Sequence, residues 1–162
     1  MTAVRGSLIS LLVLVFLDVV LDGSYIFSAL VCPIWFLVAV VRAIASRPSA
    51  GVAAARVLMP LFAGLLVAAN FYLQGSIAMA NAARLIQACE QFREANGAYP
   101  ERLGDLVPRY LNSIPRAKYC CFESEFAYYY EPPPGPILWW EQVPPFGHRF
   151  YNFDTGEWRY LD

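Results

Sequence analysis

The chain has 162 residues, of which 58 % are hydrophobic and 15 % charged, and its formal net charge is −1. With a mean hydropathy of +0.43 it is too apolar for an ordinary soluble domain. The balanced charge excludes a basic nucleic-acid-binding face, and the wealth of aromatics excludes disorder. The charge is unevenly distributed. Residues 1–80 carry Arg5, Arg42, Arg47, Arg56, Asp18 and Asp22, and all other charged side chains follow. The first half therefore reads as membrane (1–75), the second as a water-exposed domain (76–162).

Three apolar runs cover residues 8–21, 25–41 and 57–73. A spanning helix needs about 20 mostly apolar residues. The second and third runs approach that length, while the first is short and leaves open whether it spans. A cleaved signal peptide is its rival reading, with Arg5 as the basic start. No small-x-small site follows, however, and apolar sequence resumes at Tyr25. Arg42, Arg47 and Arg56 all fall between the second and third runs, so that loop is expected inside, with the N-terminus. Everything beyond about Gly75 is then outside. Asp18 and Asp22 lie one helical turn apart near the outer end of the first run, within reach of interfacial water. A relay partner for an ion path is missing.

Residues 74–96 continue the third run without a proline, rich in Ala, Gln, Glu and Arg. Leu85, Ala88, Cys89 and Phe92 recur at helical spacing and form an apolar stripe. Asn96-Gly97 supplies a left-handed stop. One helix over about residues 54–96 is expected, roughly 60 Å long. After it, Tyr99-Pro100 turns the chain back, and Leu103, Leu106, Val107, Tyr110 and Leu111 form a ridge suited to cover the stripe.

The string Asn96-Gly97-Ala98-Tyr99-Pro100, Leu103, Leu106-Val107-Pro108 and Ile114-Pro115 resembles the helix-to-sheet connection of type IV pilin-like proteins. It is most similar to that of the major pseudopilins of type II secretion. The resemblance covers residues 55–162 and implies an α+β domain, a half-apolar helix leading into a short antiparallel sheet, in the bacterial envelope. The prepilin signature, a cleavage-site Gly with an aromatic residue and a Glu five residues into the mature chain, is not found before the third run. Residues 51–56 read Gly-Val-Ala-Ala-Ala-Arg instead. Processing and filament assembly through that Glu are therefore not expected.

Residues 119–162 hold 14 of the 25 aromatics. Strand candidates are 119–131, 137–142, 148–153 and 157–161, separated by Pro132-Pro133-Pro134-Gly135-Pro136, by Pro144-Pro145-Phe146-Gly147 and by the turn Asp154-Thr155-Gly156. A four-stranded antiparallel meander packed on the long helix follows.

Candidate sites are few. With His148 as the only histidine, a triad or His-rich metal site is nearly excluded. No catalytic residue and no cofactor is expected. In an oxidising compartment Cys89 is expected to pair with Cys120 or Cys121, closing a loop worth about 3–4 kcal/mol. Major pseudopilins bind calcium in a C-terminal loop, which makes Asp154, Glu157 and Asp162 weak calcium candidates, though this turn is too short for six or more oxygens. Tyr129, Trp139 and Trp140 are candidate partner-binding aromatics, with core packing as the alternative. Adjacent tryptophans on a strand must face opposite ways. The chain is thus expected to be a bacterial inner-membrane protein and not an enzyme. Its outer pilin-like domain would mediate protein–protein interaction, as a non-canonical pseudopilin-like component of a secretion or pilus-type system. The alternative is a membrane-anchored immunity protein neutralising a toxin that acts in the periplasm.

Overall fold

The structure, a computed structural model, describes residues 2–122, 124–130, 135–143 and 147–161. Expected turn segments at 132–134 and 144–146, and Glu123, Glu131 and Asp162, lie outside them. The architecture is α+β, with long helices and a four-stranded antiparallel sheet. The elements are α1 (Thr2–Val15), a π-helical segment (Phe16–Asp22), α2 (Ile26–Ser46), α3 (Ala50–Asn96), a 3₁₀ turn (Leu103–Leu106), β1 (Ala127–Tyr129), β2 (Ile137–Val143), β3 (Gly147–Asn152) and β4 (Glu157–Leu161). The chain divides into two compact units, Met1–Tyr72 with Cys120–Phe122, and Leu73–Tyr119 with Glu123–Asp162.

In the first unit α2 and α3 are each long and apolar enough to cross a membrane. The first apolar run is α1 continued without a break by the π-helical segment. A π-turn leaves the helix register altered, and Gly23, at φ 64°, ends it in the left-handed region. The Ser24 amide closes the end on the Asp18 carbonyl at 3.0 Å. Two further terminal carbonyls, of Val20 and Leu21, accept the amides of Cys121 and Phe122, both at 2.9 Å.

Asp18 departs from the expectation. Its side chain is fully buried and does not reach interfacial water. Its carboxyl oxygens accept the amides of Phe27 (3.0 Å) and Ser28 (2.7 Å), in the first turn of α2. Those amides have no intrahelical partner, and the positive end of the helix dipole favours a carboxylate there. The π-turn aims a side chain from one helix at the start of the next, doing the work of an N-cap from eight residues upstream of α2.

In the second unit the expected stripe is the core. Ala78, Ala82, Leu85, Ala88 and Cys89 of α3 meet Leu103 and Leu106, then Ala117, Phe126, Leu138, Trp140 and Phe153. Tyr110 and Leu111 of the ridge pack against the same cluster. Tyr99 fixes the turn-back. Its hydroxyl donates to Glu90 at 2.9 Å, and Arg93 lies 4.8 Å from its ring centre. Tyr128 donates to the Pro100 carbonyl at 2.9 Å.

The sheet order is β1-β2-β3-β4, all antiparallel, as a meander. The first strand is far shorter than the expected 119–131. Side chains and loop partners take its backbone groups first. Gln74 brackets the Tyr119 backbone from both sides, at 3.0 and 3.3 Å. The Ser124 carbonyl accepts the amides of Ala117 and Lys118, leaving only Ala127–Tyr129 for the ladder.

Cys89 and the adjacent Cys120 and Cys121, the partners of the expected disulfide, fall in different units. Cys89 is sealed inside the helix–sheet core, whereas Cys120 and Cys121 belong to the loop on the Val20 and Leu21 carbonyls. Burial pushes the Cys89 thiol up to about 12, with Glu90 adding to the shift. We therefore expect Cys121, which is exposed, to react with maleimide at pH 8 while Cys89 resists until the domain unfolds. Mass spectrometry of labelled peptides reads this directly, and equal labelling of both would contradict the burial.

Candidate functional site

Strand alternation divides the aromatics between two faces of the sheet. The register pairs Tyr129 with Ile137, Trp139 with Phe150, Glu141 with His148, and His148 with Leu161. These residues share the face turned away from α3. Leu138, Trp140, Tyr151 and Phe153 belong to the core side instead. Trp140 is 2 % exposed, with Phe126 edge-on at 5.3 Å and Trp158 at 5.7 Å. The adjacent tryptophans thus part as the period of two requires. Trp140 is core and is withdrawn as a partner-binding residue, while Tyr129 (54 % exposed) and Trp139 lie on the outer face.

On that outer face Ile137, Trp139, His148, Phe150 and Leu161 line an apolar groove of about 290 Å³. Trp139 holds His148 edge-on at 5.4 Å, and the His148 Nε2 stands 3.5 Å from the Glu141 carboxylate. The lone histidine therefore braces the groove wall. Arg159 crosses from Phe150 and pairs with Glu157 at 3.3 Å, giving the groove a charged border.

β4 is an edge strand, bonded to β3 alone among the described strands. All five of its residues are exposed, including Trp158, Tyr160 and Leu161. The Tyr160 hydroxyl, at the tip of its side chain, lies where a side chain on residue 147 would begin, so a larger residue there requires the tyrosine to shift. Replacing Gly147 by alanine is expected to displace Tyr160 and loosen the β3–β4 pair, seen as faster amide exchange confined to those strands. Unchanged exchange would show that the tyrosine swings aside at no cost.

Of the acidic candidates, Asp162 lies outside the described residues, and Asp154 and Glu157 have separate partners. The Asp154 carboxylate packs on Gly135, whose φ is +87°, and Glu157 is held by Arg159. No group of three metal-ligating side chains occurs among the described residues.

Three of the groove residues, Ile137, Phe150 and Leu161, were not singled out from sequence. Ile137 stands two residues from Trp139 and Phe150 two from His148, so alternation alone places each pair on one face. The pairing register that sets Trp139 against Phe150 and His148 against Leu161 is not legible in that alternation. Compared with protein families, curated proteins and solved structures, the chain shows no match.

Proposed function

We propose that this is a membrane-anchored, pilin-like protein whose outer domain docks another protein of the bacterial envelope, as a non-canonical pseudopilin-like component of a secretion or pilus-type assembly. The observation that carries the reading is the apolar groove of Trp139, Phe150 and Leu161 beside the open edge of β4. An unpaired edge offers backbone donors and acceptors to an incoming strand, and alternate side chains of that strand would fill the groove. Soluble domains guard such edges with charges or prolines. Here the edge carries Trp158, Tyr160 and Leu161 beside the mutually paired Glu157 and Arg159, and it holds no proline. The pilin-like order of parts supports the envelope assignment: an apolar half of α3, an amphipathic half, the Tyr99-Pro100 turn, then a meander.

The arginine placement supports an inner-membrane topology with the N-terminus and loop 42–56 cytoplasmic and the outer domain periplasmic. Alkaline phosphatase fused after residue 50 is expected to be inactive, and after residue 100 active. The reverse pattern would overturn the topology. A photo-crosslinking residue at position 139 or 161 is expected to capture one defined envelope protein, and at position 95, on exposed helix, none. If the captured protein is a secretion or pilus component the reading stands. A toxin acting in the periplasm would move it to an immunity protein.

A further inference from the structure

We propose that the first unit holds a binding site for the headgroup of an anionic phospholipid, formed by Arg42 and Arg56. A cavity of about 370 Å³ opens among three helices, lined by Gly6, Ser7 and Ser10 of α1, Trp35, Val38, Ala39 and Arg42 of α2, and Arg56 of α3. Two guanidinium groups thus share one cavity with two hydroxyls.

The charge has no internal answer. Neither arginine forms an ion pair among the described residues. The acidic residues of the unit are Asp18 and Asp22. The Asp18 carboxyl is committed to the amides of Phe27 and Ser28, at the opposite end of α2 from Arg42. Arg42 is exposed and Arg56 half-buried, so both guanidinium groups are open to an anion from outside the chain, and no carboxylate lines the cavity to compete for it.

The surroundings say which kind. Val38, Val41, Ile44 and Leu58 are exposed around the same ends of α2 and α3, a surface suited to acyl chains. Trp35 lines the cavity half-buried, as indoles do at the headgroup level. A guanidinium matches a phosphodiester with two parallel hydrogen bonds, and serine hydroxyls can donate to the remaining oxygens. Basic pockets between spanning helices hold anionic headgroups in this way. The proposal rests on α2 and α3 lying in a membrane, though on neither orientation.

The test uses the full chain purified in detergent with equal phosphatidylglycerol and phosphatidylcholine, lipid adducts being counted by native mass spectrometry. The wild type is expected to retain phosphatidylglycerol in preference. Arg42→Gln and Arg56→Gln are each expected to lower that preference about fivefold. Arg47→Gln, on a residue that does not line the cavity, is expected to leave it unchanged. Equal losses in all three variants would reduce the effect to general surface charge and overturn the site. No preference in the wild type would overturn it as well. Displacement of the lipid by millimolar inorganic phosphate would assign the cavity to a free anion and overturn the lipid. Should a glutamine variant not fold, melting temperature identifies it and the other single variant decides. Release of the chain from membranes by alkaline carbonate, a separate measurement, would instead refute the membrane reading beneath the proposal.

Discussion

Trp140→Ala is expected to remove much of the stability of the second unit. Trp140 is the largest side chain sealed in its core, with Phe126 and Trp158 edge-on to it and Leu138 on the same face. Emptying such a site costs about 3–5 kcal/mol, because the lining loses its contacts and collapses only in part. A domain of this size has about 5–15 kcal/mol in total. The loss should appear as a drop in amide-exchange protection across β2, β3 and residues 78–89 of the full chain in detergent. Trp139→Ala, one residue away on the other face, is expected to cost far less and to abolish crosslinking from position 161. If the two substitutions destabilise equally, the assignment of faces is wrong.

The second large effect is expected from Asp18→Ala. Two amides at the start of α2 lose their acceptor at a place where the side chain is fully buried. Each buried N–H left unpaired costs about 1–3 kcal/mol. Asp18→Asn keeps one acceptor oxygen and should fall between. The readout is thermal melting of the full chain in detergent together with protease access to the 22–26 turn. An unchanged melting point for alanine would mean that α2 starts without help from α1 and that Asp18 is kept for another reason.

Alkaline pH should also weaken the second unit, without any substitution. Cys89 and Tyr99 are pushed up to about 12, both mainly by burial and, for Tyr99, also by its bond to Glu90. Tyr128 is raised as well, by burial. These groups stay protonated in the fold while the unfolded chain releases protons from about pH 9 upward. Their contribution is complete below pH 9 and is lost as pH rises toward 12. Near-UV circular dichroism across that window should show loss of tertiary signal, and Tyr128→Phe should move the loss to higher pH. A flat signal to pH 12 would contradict the burial.

Much of the architecture could be read from the sequence, because the signals are local and periodic. Leu85, Ala88, Cys89 and Phe92 mark a helix face by spacing alone, and Gly97 ends that helix because φ of +80° suits only a residue without Cβ. The apolar runs announce α2 and the first half of α3, and Asp154-Thr155-Gly156 announces the last hairpin. Three things required the tertiary structure. Whether Trp139 or Trp140 is core depends on which face of β2 meets α3, and alternation alone leaves both answers open. The first strand lost most of its length because Gln74, 45 residues distant in sequence, captured the Tyr119 backbone. Asp18 could be placed near a membrane surface from its position, but its acceptors became clear only when the π-turn and Gly23 brought it to the amides of Phe27 and Ser28. Composition and period are properties of neighbours in the chain. Which backbone group a distant side chain reaches is a property of the fold, where one helical residue added or omitted rotates every later side chain by about 100°.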